Sequence, residues 1–116
     1  MITIYHNTRC GKSRKACAFA DENNKGYTTY EYLKEGLSKS QLSEILEKGN
    51  YAIADIMRKG ETVFKENFKG KDLNDAELIK AIIENPILLQ RPIAVGKDFA
   101  LILRDDEALE SFLEKK

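Results

Sequence analysis

Cys10 sits in the run Asn7-Thr8-Arg9-Cys10-Gly11-Lys12, where a strand-like opening gives way to helical periodicity. A thiol at a helix start faces the positive end of the helix dipole and backbone N–H groups that lack intrahelical partners, and both favour the thiolate. Arg9, Lys12, Arg14 and Lys15 crowd four cations around it, surroundings in which thiol pKa values fall by about one to several units. The chemistry that follows is nucleophilic attack by sulfur. The opposing reading, a small buried residue beside a solvated basic helix start, fits poorly with so polar a loop. Cys17 lies two turns further into the same predicted helix. At about 1.5 Å rise per residue its Cα is about 10 Å from that of Cys10, and a disulfide needs about 7 Å or less. Cys17 is therefore expected to pack in the core. Ser13 occupies the third position after Cys10, so there is no C-x-x-C dithiol, and an enzyme built on Cys10 must take its second thiol from outside.

Three arginines are candidate oxyanion ligands, because a guanidinium offers a planar fork of donors. Arg91 precedes Pro92 at the mouth of a predicted strand, and Arg104 follows another. If the two strands form an antiparallel hairpin, both arginines fall at the same edge of the sheet. Arg58 closes a predicted helical segment, and spacing alone does not bring it to the other two. Each arginine taken singly reads as a surface residue. His6, four residues before Cys10, either tunes the thiol and shuttles a proton or is a satisfied histidine supporting the loop. Pro92 is a candidate cis proline. Tyr27, Tyr30 and Tyr32 read as sheet packing.

The elements that must position these groups follow from periodicity. Met1 to His6 predicts a strand, and Gly11 to about Asn24 a helix with Ala16, Cys17, Phe19 and Ala20 on one face. Tyr27 to Leu33 predicts a second strand, parallel to the first across a right-handed crossover. Ser38-Lys39-Ser40-Gln41 is a capping-box pattern ahead of a helix. Tyr51 to Lys59 carries Ile53, Ile56 and Met57 at helical spacing. Gly60 to Asp72 predicts loop and a short helix, and Asn74 caps another helix that Asn85-Pro86 ends. Pro92 to Val95 and Phe99 to Leu103 predict a hairpin about Gly96-Lys97-Asp98. Asp105 or Asp106 caps a last helix. A βαβ unit, a helical insertion over about 38–86 and a ββα unit make an α/β domain. Its four-stranded mixed sheet with flanking helices has the logic of a thioredoxin-like fold, with one domain spanning 1–116.

Composition narrows the function. The 116 residues carry 19 Lys plus Arg against 19 Asp plus Glu, a formal net charge of zero, whereas general binders of nucleic acid or anionic membrane carry a basic excess. No apolar run approaches the roughly 20 residues that span a bilayer, and the first residues do not follow a signal-peptide pattern. Two Cys and one His make neither a disulfide framework nor a zinc site. A cytoplasmic enzyme or binding domain is expected, without metal.

The motifs resemble the arsenate reductase family that uses glutathione and glutaredoxin. Ile4-Tyr5-His6-Asn7-Thr8-Arg9-Cys10-Gly11-Lys12-Ser13-Arg14 is similar to the family's Y-H-N-x-x-C-G-x-S-R. Asn85-Pro86-Ile87-Leu88-Leu89-Gln90-Arg91-Pro92-Ile93 is similar to its H-P-I-L-x-x-R-P-I, with Asn85 where the family often has His. Met57-Arg58-Lys59 and Leu103-Arg104 extend the likeness over nearly the whole chain. After the last helix the chain is shorter than in established reductases of this type. The resemblance implies a thioredoxin-like fold with a helical insertion, and Cys10 as nucleophile. It implies Arg58, Arg91 and Arg104 as an oxyanion-binding triad, His6 as a histidine that influences the thiol, and Pro92 as the cis proline. It further implies arsenate as substrate, glutathione as co-substrate with no bound cofactor, and glutaredoxin as partner. Two alternatives stand beside it: a thiol oxidoreductase acting on another substrate, and an Spx-type regulator, which shares the fold and binds RNA polymerase but typically carries the C-x-x-C switch that Ser13 removes here.

Overall fold

In a computed structural model that describes residues 2–115, four short strands form one mixed sheet in the order β2-β1-β3-β4. They are β1 (Thr3–Tyr5), β2 (Thr28–Tyr30), β3 (Ile93–Val95) and β4 (Ala100–Ile102). β1 pairs parallel with β2 and antiparallel with β3, and β3 pairs antiparallel with β4. The predicted first strand is thus shorter than Met1 to His6, and Met1 itself, like Lys116, lies outside the described residues.

Period-two alternation divides the core into two layers. Tyr5, Ile93, Val95, Ala100 and Ile102 face one side, and pack with α3 (Lys39–Gly49) and α5 (Asp75–Glu84). Ile4 and Ala94 face the other, against Ala16 and Ala20 of α1 (Gly11–Glu22) and Leu109 and Phe112 of α6 (Asp106–Leu113). Helices of 8–12 residues are marginal in isolation. Burial of these faces, at about 1.5–3 kcal/mol per large apolar side chain, is what holds them.

The caps follow the sequence. Ser38 Oγ accepts from Gln41 N, and Gln41 Oε1 accepts from Ser38 N. Asn74 and Glu77 form the same reciprocal pair, and Asp105 Oδ1 accepts from Ala108 N. Each cap supplies partners to helix N–H groups that would otherwise have none.

Two stretches depart from the predicted elements. The strand expected to reach Leu33 stops at Tyr30, and Tyr32–Glu35 forms a single helical turn, α2. Lys34 N and Glu35 N bond back to Glu31 O, while the Tyr32 ring is fully buried. The helix expected over Tyr51 to Lys59 is only a 3₁₀ turn at Ile53–Ile56. Asp55 Oδ2 accepts from Ala52 N and closes that turn, after which Met57 is extended and pairs with Leu89 in an isolated antiparallel bridge. Pairing between segments outweighs the local apolar spacing here. The short helix expected within Gly60 to Asp72 is α4 (Thr62–Asn67).

Gly36 ends α2 at φ 88°, ψ 172°, a region open essentially to glycine alone. Its carbonyl accepts from Tyr30 Oη at 2.6 Å. Gly36→Ala is expected to lower stability by about 1–3 kcal/mol, measured by urea unfolding. A loss below a few tenths would mean that the turn relaxes freely.

Candidate active site

The loop after β1 is clamped before it enters α1. His6 N donates to Tyr30 O at 2.9 Å, and Cys10 N donates to Asn7 O at 3.0 Å. Asn7 Oδ1 accepts from Arg9 N at 3.0 Å, and Asn7 N donates to Ser13 Oγ at 3.3 Å. Ser13 is fully buried. Cys10 is then the N-cap of α1, half-buried, and no side-chain cap bond competes for its sulfur.

Arg91 reaches this thiol from across the sheet. Its Nε donates to Cys10 Sγ at 3.1 Å, from the mouth of β3, where the Arg91–Pro92 bond is cis and Leu103 N donates to Pro92 O. Burial pushes the Cys10 thiol up. The Ser13 and Lys12 backbone N–H groups facing it and the charge and hydrogen bond of Arg91 outweigh that, and hold it below the ordinary thiol value. A thiol held down in this way forms the nucleophilic thiolate more readily than a free one.

The bridge that replaces the predicted helix also brings Arg58 toward the site. Arg58 N donates to Leu88 O at 2.7 Å, Gln90 N donates to Ile56 O at 2.8 Å, and Gln90 Nε2 donates to Met57 O at 3.0 Å. Arg58 is thereby zipped to the segment that ends in Arg91. Its Nη1 pairs with Glu61 Oε1 at 2.8 Å and lies 3.4 Å from Ile87 O.

Arg104 takes the hairpin position expected of it, opposite Arg91 in the register that pairs Ile93 with Ile102. Its side chain is nevertheless exposed, over a depression of about 110 Å³ that it shares with Lys12 and Lys15. Its guanidinium makes no hydrogen bond or ion pair among the described residues.

His6 meets the second thiol of the chain. Its Nδ1 lies 3.7 Å from Sγ of Cys17. Burial pushes the imidazole below its ordinary value, with Glu31 partly opposing, so it carries little charge at neutral pH. The ring's contact is therefore with the inner face of α1, where the half-buried Cys17 thiol is itself pushed up by burial.

Four site features were not singled out from the sequence. They are Ser13, Gln90, Glu61 and the hydroxyl of Tyr32, which is buried without a hydrogen-bond partner among the described residues. Ser13 was within reach, since it shares the buried helical face of Ala16 and Ala20. The other three depend on the bridge and on the α2 turn. Beside the Cys10 loop a cleft of about 270 Å³ is lined by His6, Asn7, Thr8, Arg9, Glu31, Leu33 and Lys34.

The ArsC family matches residues 5–112 of the chain. A protein named arsenate reductase from Haemophilus influenzae is 34% identical over 114 residues, covering 97% of this chain and 98% of its own. The solved structure of an arsenate reductase from Vibrio cholerae superposes with a TM-score of 0.84 at 30% identity, covering 97% of this chain and 95% of that one. A protein named global transcriptional regulator Spx 2, from Bacillus anthracis, is 28% identical over 116 residues, covering 99% of this chain and 88% of its own.

Proposed function

From the premise that the chain belongs to the ArsC family, we propose that it is an arsenate reductase of the type coupled to glutathione and glutaredoxin. The observation that carries the reading is the 3.1 Å bond from Arg91 Nε to Cys10 Sγ at the N-cap of α1. A guanidinium against a thiol of lowered pKa supports the reading, because oxyanion-binding and nucleophilic chemistry are then available side by side. In this reading arsenate is held by Arg91 and Arg58, and the exposed Arg104 side chain folds in from the same sheet edge. Pro92 fixes the approach of Arg91. His6 acts through Cys17 and the loop rather than by proton transfer.

The chemistry then balances in four steps. Cys10 Sγ forms a bond to arsenic(V), and one arsenic oxygen takes up a proton and leaves as water. The glutathione thiol displaces a second oxygen, also as water. A glutaredoxin thiolate takes the glutathione sulfur as a mixed disulfide, and the electron pair of that S–As bond stays on arsenic, reducing it to arsenic(III). Hydrolysis of the remaining S–As bond releases arsenite and the Cys10 thiol. The cleft beside the loop suits glutathione, with Arg9 and Lys34 available to its carboxylates and Glu31 to its amine. No described helix is long and apolar enough to cross a membrane, and dependence on free thiols is a cytoplasmic setting.

Incubation with arsenate, glutathione and glutaredoxin, with glutathione reductase and NADPH regenerating the glutathione, is expected to yield arsenite, read by arsenic speciation. Absence of arsenite while Cys10 still alkylates readily would overturn arsenate as substrate. The Spx 2 likeness supports one other reading, binding of RNA polymerase. Stoichiometric capture of the polymerase by a protein that produces no arsenite would establish that reading instead.

A further inference from the structure

Tyr32 is the first residue of α2, and nothing of its side chain is exposed. Its hydroxyl has no hydrogen-bond partner among the described residues. An unpaired polar atom in a protein interior carries a desolvation cost, and each such atom in a native fold calls for an explanation. Packing alone does not supply one, because Phe would fill the same space without the penalty.

The surroundings of the hydroxyl do supply one. α2 follows directly on β2, whose last carbonyl, Tyr30 O, accepts from His6 N at the head of the Cys10 loop. On its other side α2 packs against the turn Pro86–Leu88, the segment to which Arg58 bonds and that runs on into Arg91. Tyr32 thus stands between the two strips of chain that carry the thiol and the arginines. Burial pushes the phenol up to about 12. The charges that act on it are Arg91 and Arg58, which oppose that rise, and Cys10 and Glu61, which add to it. All four belong to the site. At neutral pH the group is a neutral O–H donor, buried among charges of both signs.

We propose that the Tyr32 hydroxyl is a further ligand of the oxyanion, donating to an oxygen of the tetrahedral anion held by Arg91 and Arg58, so that its missing partner is the substrate. The inference rests on the oxyanion-binding reading above and adds to it a residue and a neutral donor. A neutral donor adds direction where guanidinium groups supply charge. It also explains why α2 interrupts the strand expected to run to Leu33, because in a continued strand residue 32 would follow the pleat and not this turn.

The test uses the full chain with Tyr32→Phe, which keeps the ring and removes only the oxygen. Iodoacetamide labelling of Cys10, followed by peptide mass spectrometry, reports occupancy as protection by arsenate, with sulfate as an unreactive second anion. Hydrogen bonds to charged groups are the stronger class, so the half-protecting concentration in Tyr32→Phe is expected to rise about tenfold or more. The melting temperature should hold or rise, and the pH midpoint of unprotected labelling should stay in place. Equal protection of wild type and Tyr32→Phe would overturn the inference and leave the oxyanion site standing. A shifted pH midpoint with unchanged protection would assign the hydroxyl to the thiol and overturn it too. A lowered melting temperature with unchanged protection would assign the hydroxyl a structural bond and overturn the inference as well. Wild-type protein protected by neither anion would overturn the oxyanion-binding reading and this inference with it.

Discussion

Replacing Cys10 by Ser is expected to lower the rate of arsenite formation from arsenate, glutathione and glutaredoxin by roughly 10⁴-fold or more, the scale on which removal of an enzyme's nucleophile acts. A serine hydroxyl in this place has no base to ionise it. His6, the nearest candidate by sequence, is engaged with Cys17, and Arg91 has no acceptor nitrogen to offer. The fold should not share the loss. Cys10 makes no side-chain cap bond, whereas Ser is among the best N-cap residues, so the same substitution offers α1 a new bond to the N–H of Lys12 or Ser13. Unfolding in urea should therefore show Cys10→Ser at least as stable as wild type. Turnover within tenfold of wild type would exclude Cys10 as nucleophile. A large loss of stability would show that the thiol is structural.

The fold was legible wherever one element decides its own form. The strand–helix–strand opening, the capping boxes at Ser38 and Asn74 and the hairpin after Pro92 each rest on residues a few positions apart, and each is present. The two mistaken elements are those decided by partners far along the chain. Ile53, Ile56 and Met57 suit a helix, but Met57 pairs with Leu89. Tyr30, Glu31 and Tyr32 suit a strand, but β2 lies at the sheet edge, where a strand has only one neighbour to extend against, and Tyr32 gains more by turning inward.

The site was legible to the same depth. Cys10 at a helix start and Arg91 opposite Arg104 follow from local spacing and one hairpin. The approach of Arg58 to Arg91 does not, because it passes through the Met57–Leu89 bridge that periodicity concealed. The partner of His6 was hidden for a related reason. Leaving β1 toward Cys10 in sequence, the ring turns back onto the inner face of α1, and its neighbour is the thiol seven residues beyond the expected one.

Arg91→Ala carries the second large effect, and it separates two duties of one side chain. The first is on the thiol. Arg91 is one of the groups that lower the Cys10 pKa, so without it the rise of labelling rate with pH moves to higher pH, and labelling near pH 7 slows. The stability effect has a fixed sign. A thiol whose folded pKa lies below its unfolded value contributes stability above the unfolded pKa and loses it as pH falls through the folded one. The part of the Arg91→Ala penalty due to this pairing is thus full in mildly alkaline solution and vanishes in acid. The second duty, in the proposed function, is on the anion. Loss of one oxyanion-stabilising donor costs about 10²–10³-fold in turnover, and kcat/KM for arsenate should fall by at least that much. Arg91→Lys distinguishes the two duties. A point charge restores part of the thiol shift, while the fork that grips an oxyanion from two nitrogens is lost. Arg91→Lys should therefore recover labelling at neutral pH more fully than it recovers kcat/KM. Equal recovery of both would mean that Arg91 acts by charge alone, and an unmoved labelling midpoint in Arg91→Ala would mean that the helix N–H groups suffice to activate the thiol.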